Sequence, residues 1–354
     1  MKQIMFLTAL LSSMLFWGCS ENTDDFAKGE PEQIVFSTQH DAVTRSVVEG
    51  SVMVQDFSVY GYALTGVQTP GYIMKDATFD KDGNPSDGNK YYWPVADNAS
   101  SVSVIFTAIS PSTQAHTFNS ASDKVTSSIV TPSVLTSPQN SDNTDILYAS
   151  KTSSPTKERV PITFNHALSW IQFQGKFGEG ITDVKIKSIK FSTGLNTTGD
   201  FIQNTTDNTV AWDNIATPQV IEFGNGSKPL KSTEYTVLTD ALLIPQSVPA
   251  SITIKYDITI GDVTYTDMTV TKTVNTGKDA NDKGYISSFA AGYRYIYRIY
   301  VTANEIKFSP SVIPWQNGTA DDIWQIWDED PVAYNQNSFF TPASMLTASP
   351  SLKA

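Results

Sequence analysis

Residues 293–301 read Tyr-Arg-Tyr-Ile-Tyr-Arg-Ile-Tyr-Val, and this stretch decides the fold class. Aromatic or aliphatic side chains occupy every second position from Tyr293 to Val301. A period of two puts these side chains on one face of an extended chain, whereas a helix repeats at three and four residues. The stretch therefore predicts a β-strand with one buried face.

The same alternation recurs along the chain. It covers Phe57–Tyr62, Val102–Ala108, Ile162–Trp170, Val184–Phe191 and Ile252–Ile260. Gly261-Asp262 then separates the last run from Val263 and Tyr265, which is a hairpin signature. No convincing amphipathic helix longer than about three turns follows the N-terminal apolar run. Regular strands without alternating helices predict an all-β protein with two tandem antiparallel β-sandwich domains.

The N-terminus predicts export and lipid attachment at Cys19, the only cysteine in 354 residues. Lys2 supplies a positive charge, Ile4–Trp17 is a short apolar run, and Gly18 is a small residue before the cysteine. The run is too short for a membrane-spanning helix and is typical of a signal peptide. Residues 1–18 are predicted to be a lipoprotein signal peptide. The alternative is an ordinary cleaved signal with a chance cysteine.

Composition limits the classes of function. The formal net charge is −12, and charged residues make up only 17% of the chain. No basic stripe is present to neutralise phosphates, so nucleic acid is not expected as a partner. With its only cysteine carrying lipid, the mature chain has no disulfide. Its stability is expected to come from burial and strand pairing.

The sequence offers no catalytic or metal-binding motif. It contains no Gly-x-Ser-x-Gly, His-Glu-x-x-His or phosphate-binding loop. Residues 80–84 resemble the start of a calcium loop, but Pro85 replaces the required glycine and Tyr91 stands where a bidentate glutamate should be. A plain hairpin loop is therefore predicted. His166 lies on an apolar strand face and is interpreted as a core histidine. The sequence predicts no enzyme, no cofactor and no metal site.

Changes of composition predict the divisions of the chain. Residues 150–160 are rich in Ser, Thr, Lys and Pro and are interpreted as an interdomain linker. The predicted domains are an N-terminal β-sandwich at residues 46–156 and a C-terminal β-sandwich at residues 157–316. A propeptide at residues 19–45 precedes them, and it contains a first strand at Ile34-Val35-Phe36.

The last stretch, residues 317–354, is unusual because terminal tails are normally polar. It includes Asp-Asp-Ile-Trp-Gln-Ile-Trp at residues 321–327. Such apolar side chains are expected to be covered in the functional state. They either pack back on the second domain or enter a partner.

A series of short motifs follows a fixed order. They are Ile34-Val35-Phe36-Ser37, Thr44-Arg45, Phe57–Tyr62, Tyr91–Pro94, Val104–Pro111, Phe164–Ser169, Leu242–Gln246, Gly292–Tyr295 and Ile313-Pro314-Trp315. With the signal that ends at Cys19, this order resembles the fimbrillin family, the subunits of the type V pili of Bacteroides-type bacteria. The resemblance implies that the two sandwiches are transthyretin-like.

The resemblance also implies an assembly mechanism. The precursor would be held at the outer membrane by its lipid until an arginine-specific surface protease cuts between Arg45 and Ser46. The released piece would carry the strand Ile34-Val35-Phe36, whose Ile34 and Phe36 we expect to be buried before the cut. A C-terminal strand from another copy or a related pilin would then fill the groove. The candidate donor residues are Ile323, Trp324, Ile326 and Trp327.

Two functions are left open by these arguments. The first is a structural subunit, stalk or tip, of a cell-surface fimbria. The alternative is a lipid-anchored adhesin or glycan-binding module that never polymerises and takes host or bacterial surface ligands.

Overall fold

The computed structural model describes residues 32–40, 55–95, 101–131, 134–135, 145–207, 209–220, 222–223, 228–274 and 286–314. Every regular element in these ranges is a β-strand, so the predicted all-β class is confirmed. These ranges contain no helix long and apolar enough to cross a membrane.

The strands follow one another in short steps along the chain. The first eleven are β1 Phe36–His40, β2 Phe57–Thr65, β3 Gly71–Phe79, β4 Ser103–Ser110, β5 Thr117–Asn119, β6 Lys124–Val130, β7 Val134–Leu135, β8 Leu147–Ser153, β9 Val160–His166, β10 Ser169–Phe177 and β11 Asp183–Phe191. The others are β12 Leu195–Asn204, β13 Val210–Gln219, β14 Glu222–Phe223, β15 Lys228–Pro229, β16 Thr236–Leu243, β17 Gln246–Ser247, β18 Ser251–Ile260, β19 Val263–Thr273, β20 Ser288–Phe289, β21 Tyr293–Val301 and β22 Ile306–Pro314.

A six-stranded sheet encloses the first core. Its order is β1-β9-β8-β4-β2-β3, and only the β1–β9 pair in it is parallel. The sheet is curled so far that its two edge strands meet. The ring centroids of Phe36 on one edge strand and Phe79 on the other are 4.8 Å apart. The curl closes the apolar face on itself. Its buried residues include Ile34, Phe36, Phe57, Val59, Phe79, Phe106, Ile162 and Phe164.

Two further sheets pack face to face around the second core. One has the order β16-β10-β21-β22 and the other β19-β18-β11-β14-β7. Phe173 and Tyr297 from the first stack with ring centroids 5.2 Å apart, and Phe191 from the second lies 6.2 Å from Phe173. The alternating side chains of β21 are buried from Tyr295 to Val301, whereas Tyr293 at the start of the strand is 42% exposed.

The predicted boundary at residues 156/157 does not follow the sheets. β8 and β9 enter the predicted linker from either side, and both belong to the first sheet. Val160 and Ile162 pack in the first core. The Ser/Thr/Lys/Pro stretch is the turn between two antiparallel strands of one sheet, which has the same composition as a linker because both are exposed.

The long apolar run Ile162–Trp170 is likewise divided. It is split between β9 and β10, which lie in different sheets. The chain therefore leaves the first sheet at Ala167-Leu168, between these two strands.

A four-stranded sheet joins the two halves. Its order is β13-β12-β6-β5, and Thr198–Asn204 pairs with Lys124–Val130. A third apolar cluster, which includes Ile109, Leu168 and Phe201, lies between the halves. The halves therefore share strands instead of meeting only through a linker.

Candidate functional site

The N-terminal segment, residues 32–40, lies at the edge of the first sheet. Phe36–His40 pairs in parallel with Val160–Phe164 of β9. On its other side, the N–H of Ile34 donates to the carbonyl of Tyr91 over 2.7 Å, and the N–H of Phe36 donates to the carbonyl of Gly83 over 2.9 Å. The segment is therefore hydrogen-bonded on both sides, although β1 is the last strand in the sheet order.

The side chains of Ile34 and Phe36 are fully buried, with 0% exposed surface each. The Phe36 ring packs edge-on against three rings at centroid distances of 6.1, 4.8 and 5.2 Å. These three rings, here called the ring pocket, are Phe57, Phe79 and Phe106. The burial expected from the alternation is observed.

The strand itself is shifted from its predicted position. β1 begins at Phe36, so Ile34 and Val35 precede it, and Gln33 makes an isolated bridge with Tyr92. The chain first pairs with residues 91–93 and only then with β9. This shift depends on long-range pairing that a local pattern does not contain.

One guanidinium ties the N-terminal segment to the loop after β3. The Nε of Arg159 donates to the carbonyl oxygen of Phe36 over 2.7 Å. Its Nη2 donates to the Oδ1 of Asn84 over 3.0 Å and also to the carbonyl of Asp82. A planar guanidinium can reach several acceptors at once, so this arginine links the segment and the loop.

The loop at residues 80–84 is organised by its own carboxylate. Asp80 accepts hydrogen bonds from the backbone N–H groups of Asp82 over 3.0 Å and Asn84 over 2.8 Å. Burial alone would raise the pKa of the Asp80 carboxyl, but the hydrogen bonds from Asn84 and Asp82 outweigh it and lower that pKa. Gly83 has φ +79°, and a Cβ there would overlap the carbonyl oxygen of Phe36. The glycine thus permits the close approach of loop and segment.

Several predicted site residues lie outside the described residues. β1 ends at His40, five positions before Arg45. The lipidation site, the processing site and the predicted donor side chains stay predictions. They are Cys19, Arg45, Ser46, Ile323, Trp324, Ile326 and Trp327.

The model of the fimbrillin-like family matches residues 44–315. The chain belongs to the fimbrillin-like family. The match begins next to Arg45 and ends at Trp315, so the N-terminal segment and the tail flank the part of this fimbrillin-like chain that the family model covers. No curated protein matches the chain.

Solved structures resemble the chain at low sequence identity. A fimbrial protein from Bacteroides vulgatus aligns with a TM-score of 0.51 and 15% identity, over 80% of the fimbrillin-like chain and 99% of its own. A candidate cell adhesion protein from Bacteroides uniformis aligns with a TM-score of 0.47 and 15% identity, over 80% and 99% of the two chains. A second candidate cell adhesion protein, from Bacteroides ovatus, has a TM-score of 0.47, 15% identity and coverages of 82% and 99%.

Sequence reasoning missed two polar contacts of the fimbrillin-like fold. Nothing in the local sequence marks Arg159 as the partner of Phe36. His166 is buried in β9 with its Nδ1 2.8 Å from the carboxylate of Asp145, a residue the sequence did not single out. Among the residues that the structure describes, no group of three or more His, Cys, Asp or Glu side chains is arranged to hold a metal ion.

Proposed function

We propose that this fimbrillin-like protein is a structural subunit, stalk or tip, of a cell-surface fimbria and assembles by strand exchange. The observation that supports the proposal is the placement of the N-terminal segment. Its Ile34 and Phe36 are completely buried, yet it joins the sheet only at the edge. An edge strand can leave without separating any other pair of strands, and the vacated edge can accept a new strand.

The energetics of an empty groove favour replacement of the lost strand. Release of the N-terminal segment would expose the ring pocket. It would also remove the hydrogen-bond partners of four main-chain groups, which are the carbonyls of Tyr91 and Gly83 and the N–H groups of Trp93 and Val160. Water can bond these main-chain groups, but it cannot cover the apolar surface. An incoming strand satisfies both needs. Because groove and donor are different surfaces, each joint is head to tail, and repeated joining produces an open filament wherever the rotation between subunits does not close a ring.

The proposed maturation begins at the membrane. The precursor is exported as a lipoprotein, carries lipid on Cys19 and stays at the outer membrane until an arginine-specific surface protease cuts between Arg45 and Ser46. β1 ends at His40 and β2 begins at Phe57. A cut at Arg45 would therefore release the first strand without cutting any described strand.

Two substitutions and one control substitution test the proposal. Arg45→Ala should leave a folded, lipidated monomer, whereas Lys28→Ala, a basic residue on the other side of the first strand, should assemble normally. The measurement is the pattern of high-mass species in unboiled cell-surface material. Cys19→Ala should abolish acyl labelling. If the Arg45→Ala variant still forms the high-mass ladder, proteolytic licensing is wrong. If neither wild type nor variant polymerises while both stay on the surface, the adhesin alternative replaces the proposal.

A further inference from the structure

The groove that the N-terminal segment would leave, here called the acceptor groove, selects two side chains that are two positions apart. The ring pocket holds the aromatic ring of Phe36, and the fully buried Ile34 precedes it by two residues. Val35, between them, is only partly buried. The acceptor groove therefore requires an aliphatic residue, a residue of little constraint, and an aromatic residue, in that order along a strand parallel to β9.

Only one position in the tail meets this requirement. Tyr334 has the aliphatic Val332 two positions before it. The other aromatic residues of the tail have Asp, Gln, Asn or Ser at that distance, and these polar groups would be buried where Ile34 lies. Those aromatic residues are Trp324, Trp327, Phe339 and Phe340.

The similarity extends over the whole length of the segment. Residues 32–40 read Glu-Gln-Ile-Val-Phe-Ser-Thr-Gln-His, and residues 330–338 read Asp-Pro-Val-Ala-Tyr-Asn-Gln-Asn-Ser. Both begin with an acidic residue, place the aliphatic and aromatic residues at the third and fifth positions, and end in polar side chains. Tyrosine also keeps the ring size of phenylalanine, whereas an indole is larger than the space that Phe36 leaves in a packed core.

The backbone requirements agree with this alignment. Pro331 falls at the position of Gln33. The main-chain bonds of this part use the N–H groups of Ile34 and Phe36 and the carbonyls of Glu32 and Val35, so a proline in place of Gln33 removes none of them. Proline also biases the residue before it toward the extended conformation that a strand needs.

We infer that residues 330–338 of a neighbouring copy are the donor strand, with Val332 in the place of Ile34 and Tyr334 in the place of Phe36. The inference rests on the proposed function of strand exchange. It moves the donor downstream of the residues 323–327 predicted from sequence. Between Pro314, where β22 ends, and Asp330, the chain can span up to about 50 Å, which is enough to reach an adjacent subunit.

The first experiment tests the selectivity of the acceptor groove in the uncut precursor. One variant carries Ile34→Val, Val35→Ala and Phe36→Tyr, which places the sequence of residues 332–334 in the groove. The rival carries Ile34→Gln, Val35→Ile and Phe36→Trp, which places residues 325–327 there. The first should melt within about 5 °C of the unaltered precursor, and the rival should lose more than about 10 °C. Equal losses, or a greater loss in the first variant, would overturn the inference.

The second experiment tests the donor during assembly. Tyr334→Asp should abolish the high-mass ladder, because a buried carboxylate in the ring pocket is strongly unfavourable. Trp327→Asp, the matched control in the same tail, should leave the ladder intact. If only Trp327→Asp abolishes it, or if both variants polymerise while Arg45→Ala stays monomeric, the donor assignment fails and strand exchange stands. If Arg45→Ala polymerises, the proposed function itself fails. A cut monomer whose melting temperature falls with Tyr334→Asp would show that the tail fills its own groove, which also overturns the inference.

Discussion

The Nε of Arg159 donates a hydrogen bond to the carbonyl oxygen of Phe36 over 2.7 Å. Arg159 directly precedes β9, and Phe36 is the first residue of β1. Arg159 is an exposed residue and its contact with Phe36 is partly buried, whereas the ring of Phe36 is completely buried. The N-terminal segment is therefore held by apolar packing on the inside and by a charged donor on the outside, and the two can be varied separately.

Arg159→Lys should weaken the hydrogen bonds that hold the N-terminal segment from its outer side. Lysine keeps the charge but loses the planar fork that reaches Phe36 and Asn84 together. We expect a loss of about 0.5–1.5 kcal/mol in the free energy of unfolding of the precursor, measured by chemical denaturation. Arg298→Lys, an exposed arginine on β21, is the control and should change stability by less than about 0.5 kcal/mol. Equal effects of the two changes would contradict the assigned role.

Phe36→Ala should remove the apolar packing that holds the N-terminal segment in the first core. Truncation of a fully buried phenylalanine costs about 3–5 kcal/mol, because the transfer energy is lost and a cavity is left behind. Tyr92→Ala, at a nearby ring that is 42% exposed, should cost far less in the same denaturation experiment. Once the subunit has been cut and the segment has left, Phe36→Ala should have no effect. If Phe36→Ala leaves the stability of the precursor unchanged, the result would contradict the proposal that this strand fills the groove before the cut.

Gly83→Ala should destabilise the precursor more than Gly88→Ala. The two glycines have nearly the same φ, +79° and +82°, so alanine meets the same backbone strain at both. Only at Gly83 does the new Cβ overlap the carbonyl oxygen of Phe36, whereas Gly88 has no atom within 4 Å of that position. The difference between the two losses, which we expect to exceed about 1 kcal/mol, isolates the contact between loop and segment. If the melting curves of Gly83→Ala and Gly88→Ala cannot be distinguished, the loop moves away from the new Cβ at no cost in stability.

Acid should weaken the loop through Asp80. Its pKa is lowered in the folded chain, so its contribution is fully present above the unfolded pKa of about 3.9 and is lost as the pH falls through the folded pKa. Asp80→Asn keeps the shape but does not titrate. The stability gap between wild type and Asp80→Asn should therefore be largest near pH 7 and close toward pH 3, as measured by unfolding midpoints. Asp262→Asn, in the exposed turn after β18, is the control. A gap that is independent of pH would rule out the Asp80 carboxylate as its source.

Local patterns in the sequence were sufficient to predict where strands occur but not which strands pair with one another. The period-two burial of Tyr295–Val301 and of Ile34 and Phe36 follows directly from the alternation of apolar residues. Sheet membership does not, because β9 and β10 continue one alternating run and yet pair in different sheets. Each strand chooses partners far away in sequence, and a local period contains no information on that choice.

In the candidate site, too, burial could be predicted from the sequence and long-range contacts could not. Burial of Phe36 was predictable, but its bond to Arg159 joins residues 123 positions apart. The bounds of the groove also depend on Gly83 and Tyr91, which reach the segment only because the first sheet curls. Cys19 and Arg45 were proposed from sequence and resemblance, and they stay predictions.

The sheet that joins β6 to β12 has a mechanical consequence. In a fibre of such subunits, tension would enter each subunit at the β9 edge of its first half and leave through the chain after β22 in its second half. The two halves cannot slide apart without breaking the register between Lys124–Val130 and Thr198–Asn204. Paired strands loaded along their length share the load over all their hydrogen bonds at once. Each subunit would therefore behave as one link whose halves stay together under load.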